Sequence, residues 1–587
     1  MTYNLNIGTT EPGKRTKTLT ALKKLAVILA NEKKNLALAL FIVLINASLS
    51  LLGPFIIGHT IDKYVVTRQY AGVLKFGSLL LGIYLASLVT GYLQAKLMGG
   101  IGQRLLFNLR NDLFHKLQEL PIEFFYANKA GDLISRINND TDKLNQFFAQ
   151  SLVQFMASIF IMTGAGIFLL TINPLLGGAA LVPAVLILIF TRVITPWVKS
   201  RNAKNLTSTG NLSAEIQEIL GNFKVVVAYD RRDYFRKKFG VANDQNYRTA
   251  IRAGIANNLF MPVYTFFSNT GQMVVLVFGI YLISTGRFTI GLLISFLSYV
   301  SSFYNPLRQL AALWTNFQIA LAGWDRISVI LKLENNLVIK ESTQQNCDPA
   351  YVVFRHVSFS YPNGKEVLHN VNFEFERSKT YALVGPTGGG KTTTASLIAR
   401  LYDPSKGKIL LDGKDLKSYT PAERTRKIGF ILQEPILFTG TVRENLVYGH
   451  DFLSSASQET LLDEIRQAGL EELLQRFEKG LDTQIQTGGD SISLGQKQLI
   501  AFMRAVLRKP ELLILDEATA NIDTITEQQL ESILKKLPES TTRIIIAHRL
   551  NTIENADEIY FVNGTRIVKA GSMENAVQLL MEDKHIS

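Results

Sequence analysis

The stretch Tyr381-Ala-Leu-Val-Gly-Pro-Thr-Gly-Gly-Gly-Lys-Thr392 passes from an apolar run into a glycine-rich turn and on into a helix-forming segment. Its spacing, G-x-x-x-x-G-K-T, carries a mechanism when it stands between a strand and a helix. Glycines let successive backbone N–H groups approach phosphate oxygens, and the helix N-terminus behind them adds its positive end. Gly385, Pro386, Thr387, Gly388, Gly389 and Gly390 are therefore expected to cradle phosphate, together with Lys391, Thr392 and Thr393. Lys391 should reach the β- and γ-phosphates, and Thr392 should offer a hydroxyl to Mg²⁺, so ATP with Mg²⁺ is the expected occupant.

Downstream, Leu512-Leu-Ile-Leu-Asp-Glu517 reads as a buried strand that ends in two acids, which packing alone does not call for. Asp516 suits the Mg²⁺ shell, and Glu517 suits polarising the attacking water as a general base. The run 543–547 likewise delivers His548 to a sheet edge. A solitary histidine there is more often structural, and only its company points to a phosphate contact.

At 587 residues the chain is too long for one core, and 47% apolar with 19% charged residues argues against disorder. The single Cys347 excludes a disulfide framework, a zinc cluster or a CxxC redox pair within the chain. The net charge of +13 has two readings: nucleic-acid binding, or the cytoplasmic Lys/Arg excess of a membrane protein. Six apolar stretches, 35–57, 73–97, 152–171, 175–194, 257–283 and 288–313, favour the second. Each reaches or approaches the ~20 residues that cross about 30 Å of hydrocarbon, and ionised side chains are nearly absent from them.

Three connections are short, 59–72, 172–174 and 284–287, whereas 98–151 and 195–256 are long and hold much of the Lys and Arg. That bias puts both long connections, the N-terminus and the C-terminal half in the cytoplasm, and accounts for the charge with no nucleic acid as partner. The N-terminal segment is polar and basic, and the first apolar run is too long for a signal-peptide core, so it is expected to stay as a membrane helix. Leu105, Leu109, Leu113 and Leu117 recur at helical spacing, so the spans are predicted to continue into the cytoplasm and turn back near 138–142 (NNDTD) and 221–224. The expected fold class is a membrane all-α domain of six long transmembrane helices followed by an α/β P-loop ATPase domain. Its expected divisions are 1–34, 35–333, a linker at 334–350, and 351–587.

Tyr361, the loop 385–392, Gln433, ISLGQ at 492–496, LLILDE at 512–517 and His548, in that order, resemble the nucleotide-binding domain of ATP-binding-cassette proteins. The resemblance implies an adenine-stacking role for Tyr361 and a Q-loop role for Gln433, which would serve both the metal and the reaction. Ser493, Gly495 and Gln496 would be signature residues, Asp523 would belong to a D-loop at 520–523, and His548 would be the switch histidine. Six membrane runs ahead of such a domain are similar to the exporter half-transporters, a class that includes multidrug and lipid-A exporters.

Membership of that class would imply ATP-driven export of an amphipathic small molecule or lipid by alternating access. Hydrolysis would occur at a dimer interface, since each chain's signature completes the other chain's site. The implied partners are the lipid bilayer and a second half-transporter, and the implied location is the plasma or inner membrane, with both termini cytoplasmic. The cytoplasmic turns would be coupling helices docking near Gln433. An ATP-gated channel or regulatory subunit of the same architecture is the alternative.

Two departures bear on the partner. Leu494 replaces the first glycine of the usual LSGGQ, and Gln486 and Thr487 replace the Gly and Glu of T-x-V-G-E-x-G. With Glu517 and His548 kept, the chain resembles one half of a heterodimeric exporter, which is favoured over a homodimer. In the last two spans Phe260, Tyr264, Phe266, Phe267, Asn269, Gln272, Phe303, Tyr304, Arg308, Gln309, Trp314 and Gln318 form an aromatic and amide-rich set. Such a set suits amphipathic cargo, or plain helix packing. Arg308, close to the cytoplasmic end of its span, either faces a wet cavity or snorkels.

Overall fold

The apolar runs form continuous helices in the computed structural model, which describes residues 3, 5, 32–334, 337, 339, 350–361, 364, 366–486, 492–516, 524–546, 553, 555–564, 566–571, 574–575 and 578–579. Among these residues six helices are long and apolar enough to cross a membrane: Lys33–Val65, Tyr70–Glu119, Ala130–Ile172, Pro174–Gly221, Arg232–Ser284 and Ile290–Leu331. At ~1.5 Å per residue the longest exceed the bilayer core more than twofold, so they extend well into the aqueous phase, as the leucine spacing predicted. Two compact units arise, Thr10–Leu117 with Gly131–Lys332, and Met1–Thr9 with Gln118–Ala130 and Leu333–Ser587.

In the helical unit, tight connections rest on local chemistry. Asn173 alone separates the third and fourth spanning helices, and its Oδ1 accepts from Leu176 N at 3.0 Å, capping a helix that begins on Pro174. The turn expected at 221–224 is present: the fourth helix stops at Gly221, Asn222 caps it, and a short helix, Phe223–Ala228, follows.

The turn expected at 138–142 is not there. Residues 130–172 run as one helical rod, with wider, π-helical turns at Arg136–Asp140 and Phe147–Ser151. The chain turns instead at Leu120-Pro121, ahead of a short helix, Ile122–Ala127. Proline has no N–H to continue a helix and disfavours helical backbone in the residue before it, so the break falls there.

Several residues of the aromatic and amide-rich set belong to the interior, in line with the helix-packing reading. Tyr304 is 4% exposed and donates to the Ala180 carbonyl at 2.8 Å, and Tyr264 is buried with its hydroxyl 3.0 Å from Thr191 Oγ1. Gln272 donates to Ser301 Oγ at 3.0 Å, and Gln309 accepts from Gln154 at 2.9 Å. These are interhelical bonds of the kind that hold apolar helices in register. Phe266, Asn269, Arg308, Trp314 and Gln318 are exposed.

The other unit is built on three sheets. Strands β1 (Ala350–Ser360), β2 (Glu366–Glu376), β4 (Lys406–Leu411) and β5 (Lys414–Asp415) make an antiparallel sheet in the order β2-β1-β4-β5. The second sheet takes β3 (Thr380–Val384), β6 (Ile428–Ile431), β9 (Leu512–Asp516), β10 (Thr542–Ile546), β11 (Glu558–Asn563) and β12 (Arg566–Lys569), in the order β12-β11-β3-β10-β9-β6. A two-stranded pair, β7 (Gly440–Thr441) and β8 (Gln484–Ile485), completes the set.

From β11 to β6 the second sheet is parallel, so its strands are covered on both faces and consist of continuous apolar runs. All five residues of β9 are buried. Ile546 pairs with both Leu383 and Asp516, and Ile431 with Leu515, so the C-terminal ends of β3, β10, β9 and β6 finish side by side. Ligands of open parallel sheets bind at such an edge.

Candidate active site

The glycine loop leaves the end of β3 and enters the helix Lys391–Ile398 through backbone that only glycine adopts without strain. Gly385 has φ +146°, and a Cβ there would lie 2.1 Å from the Val562 carbonyl oxygen. Gly390, with φ +101°, precedes the helix in the left-handed region. Gly564 N donates to Gly389 O at 2.8 Å, and Gly389 N to Pro386 O at 3.0 Å, which pins the loop to the edge of β11. Lys391 is 5% exposed, and its Nζ donates to the Gly385 and Pro386 carbonyls at 2.9 and 3.0 Å. A buried ammonium curled inside its own loop keeps its charge where an incoming anion would meet it.

Thr392 Oγ1 donates to Asp516 Oδ1 at 3.2 Å, and Asp516 is 1% exposed. A hydroxyl and a buried carboxylate side by side make a hard-oxygen donor set of the kind that suits Mg²⁺. Tyr361 bonds to Thr393, with 3.1 Å between hydroxyls, and meets Phe359 and Tyr402 edge-on at 4.9 and 5.3 Å between ring centres. A cavity of about 750 Å³ joins these groups: Tyr361, Thr392, Tyr402, Phe430, Gln433 and Asp516 all line it. Ile122, Glu123, Tyr126 and Ala127 line it as well, and Glu123 has its carboxyl pushed up by burial.

Gln433 stands two residues beyond the end of β6, beside Asp516 at the neighbouring strand's end. Ser493, Gly495 and Gln496 do not line the cavity. They form the head of a different helix, Leu494–Leu507, in a capping box: Ser493 Oγ accepts from Gln496 N at 3.2 Å and Ser493 N donates to Gln496 Oε1 at 2.9 Å. Glu517, Asp523, His548 and Thr487 lie outside the described residues.

Sequence reasoning missed Tyr402, Phe430 and the short helix Ile122–Ala127. Pro121 was a usable signal for that helix. For the two aromatics there was none, because only the fold brings them to Tyr361.

Comparison with known proteins agrees with this geometry. A family model described as the ABC transporter transmembrane region matches residues 36–307, and one described as ABC transporter matches residues 368–520. An uncharacterised ABC transporter ATP-binding protein of Bacillus subtilis is 34% identical over 562 residues, covering 95% of this chain and 92% of that protein. A fatty acid ABC transporter ATP-binding/permease protein of Mycobacterium bovis is 34% identical over 504 residues, 86% of this chain and 79% of its own. An ATP-dependent lipid A-core flippase of Syntrophus aciditrophicus is 30% identical over 560 residues, 94% and 91% of the two chains.

Proposed function

Because the chain belongs to the ATP-binding-cassette transporters, as an ATP-hydrolysing exporter half-transporter, we propose that it moves an amphipathic small molecule or lipid outward by alternating access, paired with a second half-transporter. The observation that carries this reading is the separation of two half-sites. Thr392, Asp516 and Gln433 line one cavity, with Lys391 next to Thr392 in the chain, whereas the helix head at Ser493 is not part of its lining. A site needing both sets draws them from two chains.

In this reading the backbone from Gly385 to Gly390 and the Lys391 ammonium hold the phosphates of ATP, Thr393 supports the loop, and Tyr361 stacks on the base. Thr392, Asp516 and Gln433 would hold Mg²⁺, which when bound neutralises phosphate charge. Glu517 takes a proton from the attacking water, His548 contacts the γ-phosphate, and Asp523 orders the neighbouring chain's loop. Ser493, Gly495 and Gln496 serve the site of the opposite chain, donating from a helix N-terminus.

Leu494 and Gln486 at the departures from the family pattern support a heterodimer over a homodimer. The Lys/Arg-rich long connections support cytoplasmic termini in a plasma or inner membrane, and the change in composition supports domain divisions at 34, 333 and 350. Relatives named for fatty acids and lipid A support acyl-chain-bearing cargo. The helix Ile122–Ala127 would serve as a coupling element, since it shares a cavity with Gln433. Closure of the ATPase domains would move that helix and, through it, the spans.

The test is Glu517→Gln, purified with its partner subunit and assayed for ATP hydrolysis in lipid. Loss of general-base catalysis should lower turnover about 10²–10⁴-fold while ATP still binds. Activity that persists would assign turnover to the partner's site and overturn the role of Glu517.

A further inference from the structure

Where the fourth and fifth spanning helices run on beyond the bilayer, a cavity of about 460 Å³ opens between them. Arg201, Lys204 and Arg252 line it, and Asn211, Gln245 and Thr249 add amide and hydroxyl groups. No carboxylate belongs to its lining. The acids nearest along the two helices are engaged elsewhere: Glu215 and Glu218 hold Lys238 at 2.8 and 3.3 Å, and Asp244 holds Arg248 at 2.8 Å. Among the described residues none of the three cavity cations forms an ion pair, and Arg201 lies over the Trp197 ring at 5.8 Å from its centre.

Depth follows from chain geometry. The apolar runs end at Ile194 and resume at Asn257. At ~1.5 Å per residue, Arg252 and Arg201 stand about 8 and 10 Å past the hydrocarbon, and Lys204 about 15 Å. Headgroups occupy roughly the first 6 Å of that distance, so the cavity mouth meets their cytoplasmic edge. Trp197 lies between hydrocarbon and cavity, where interfacial tryptophans anchor. Three cations without internal counter-ions in a concave site focus their field on a single anion.

We propose that this cavity binds the phosphate headgroup of an anionic phospholipid from the cytoplasmic leaflet. The site is separate from the nucleotide cavity and does not depend on which cargo is exported.

The full-length protein, with any subunit that co-purifies, would be delipidated and titrated with phosphatidylglycerol or phosphatidylcholine under native mass spectrometry. Wild type should prefer phosphatidylglycerol. R201Q/K204Q/R252Q should lose that preference by on the order of a hundredfold, since each juxtamembrane cation contributes about fivefold. R201K/R252K, which keeps the charge, should retain it and shows that the scaffold still folds. R231Q/R232Q/K237Q removes equal charge away from the cavity and should leave the preference intact. Equal binding of the two lipids by wild type, or equal loss in the remote triple variant, would overturn the site. Displacement of phosphatidylglycerol by millimolar inorganic phosphate would reassign it to a soluble ligand. A cavity variant that keeps its lipid but sheds its partner subunit would make the cavity a protein interface instead.

Discussion

Arg326, on the last spanning helix, donates its Nε hydrogen to Asp140 Oδ2 at 2.8 Å, and Asp140 is only 2% exposed. Lys143 approaches the other carboxylate oxygen at 3.0 Å. Arg136, itself buried, donates to the Arg326 carbonyl at 3.1 Å and to Asp132 at 3.0 Å. Through Asp140 and Arg136, both of which bond to Arg326, the third helical rod is thus tied to the sixth. A lone carboxylate buried there would be strongly unfavourable, and it is tolerated because two cations share it.

Asp140→Ala removes the shared acceptor and leaves two cations facing each other. The Arg326 side chain is 44% exposed, so water relieves part of the loss. The expected destabilisation is about 1–3 kcal/mol, seen as a lower Tm of the purified protein, with Asp140→Asn falling between wild type and alanine. An alanine variant that melts like wild type would reduce this network to a surface ion pair.

The same residues show where sequence reasoning succeeds and fails. Asn138-Asn139-Asp140-Thr141-Asp142 has turn composition, yet Asp140 is spent on an interhelical ion pair and Thr141 Oγ1 donates to the Asn138 carbonyl at 3.0 Å within the rod. Asn, Asp and Thr satisfy turn backbone and helix contacts equally well, so composition alone could not choose. Pro121 could, since its missing N–H is a constraint rather than a preference. The glycine loop was legible for that reason too: left-handed backbone at Gly390 and the close approach of Gly385 to Val562 leave few other residues possible. Tyr402 was illegible, because its nearness to Tyr361 depends on where β1 and the helix after the loop meet. Tyr264 and Tyr304 could be read either as cargo contacts or as packing, because burial of a tyrosine with its hydroxyl bonded to another helix leaves no periodic trace.

Asn128 ends the helix Ile122–Ala127, is 7% exposed and makes three hydrogen bonds with chain far from it in sequence or one turn back. Its Oδ1 accepts from Leu5 N at 3.0 Å, and its Nδ2 donates to Tyr3 O at 2.8 Å and Phe124 O at 2.7 Å. The Tyr3 ring meets Phe124 edge-on at 6.4 Å. Asn128→Ala leaves a buried N–H and two carbonyls unpaired, a local cost of about 2–3 kcal/mol. Limited proteolysis should then release the N-terminal residues faster. Deleting residues 1–6 together with the substitution should add little to either change alone, because both remove one contact. Additive effects would show that the two act separately.

Glu32, ahead of the first spanning helix, accepts from Arg104 Nε at 2.7 Å and Nη2 at 3.0 Å. Hydrogen bonding from Arg104 first, and from Asn35 second, holds its carboxyl down to about 2, against an ordinary 4.5. A depressed carboxylate stabilises the fold above its unfolded pKa, and that contribution fades as pH falls from there through the folded value. The Tm difference between wild type and Glu32→Gln should therefore be constant from pH 8 to about 5 and shrink below about 4. The pair is partly exposed, so the difference should stay under about 1 kcal/mol. A gap that widens on acidification would contradict the assignment.

Leu494 stands one residue into its helix, 45% exposed, while Ser493 and Gln496 cap that helix without it. Leu494→Gly should therefore cost about 1 kcal/mol, mainly the helix penalty of glycine, because the leucine side chain is exposed and little packing is lost. Ser493→Ala should cost about the same through the lost cap, and should also lower ATP hydrolysis if Ser493 serves the opposing site. The two variants separate structure from function. If Leu494 is what weakens the site it faces, the glycine variant should hydrolyse ATP several-fold faster than wild type in the purified complex, at nearly equal Tm. If hydrolysis is unchanged while Ser493→Ala loses it, leucine is accepted at that position, and the case for a heterodimer loses its main support.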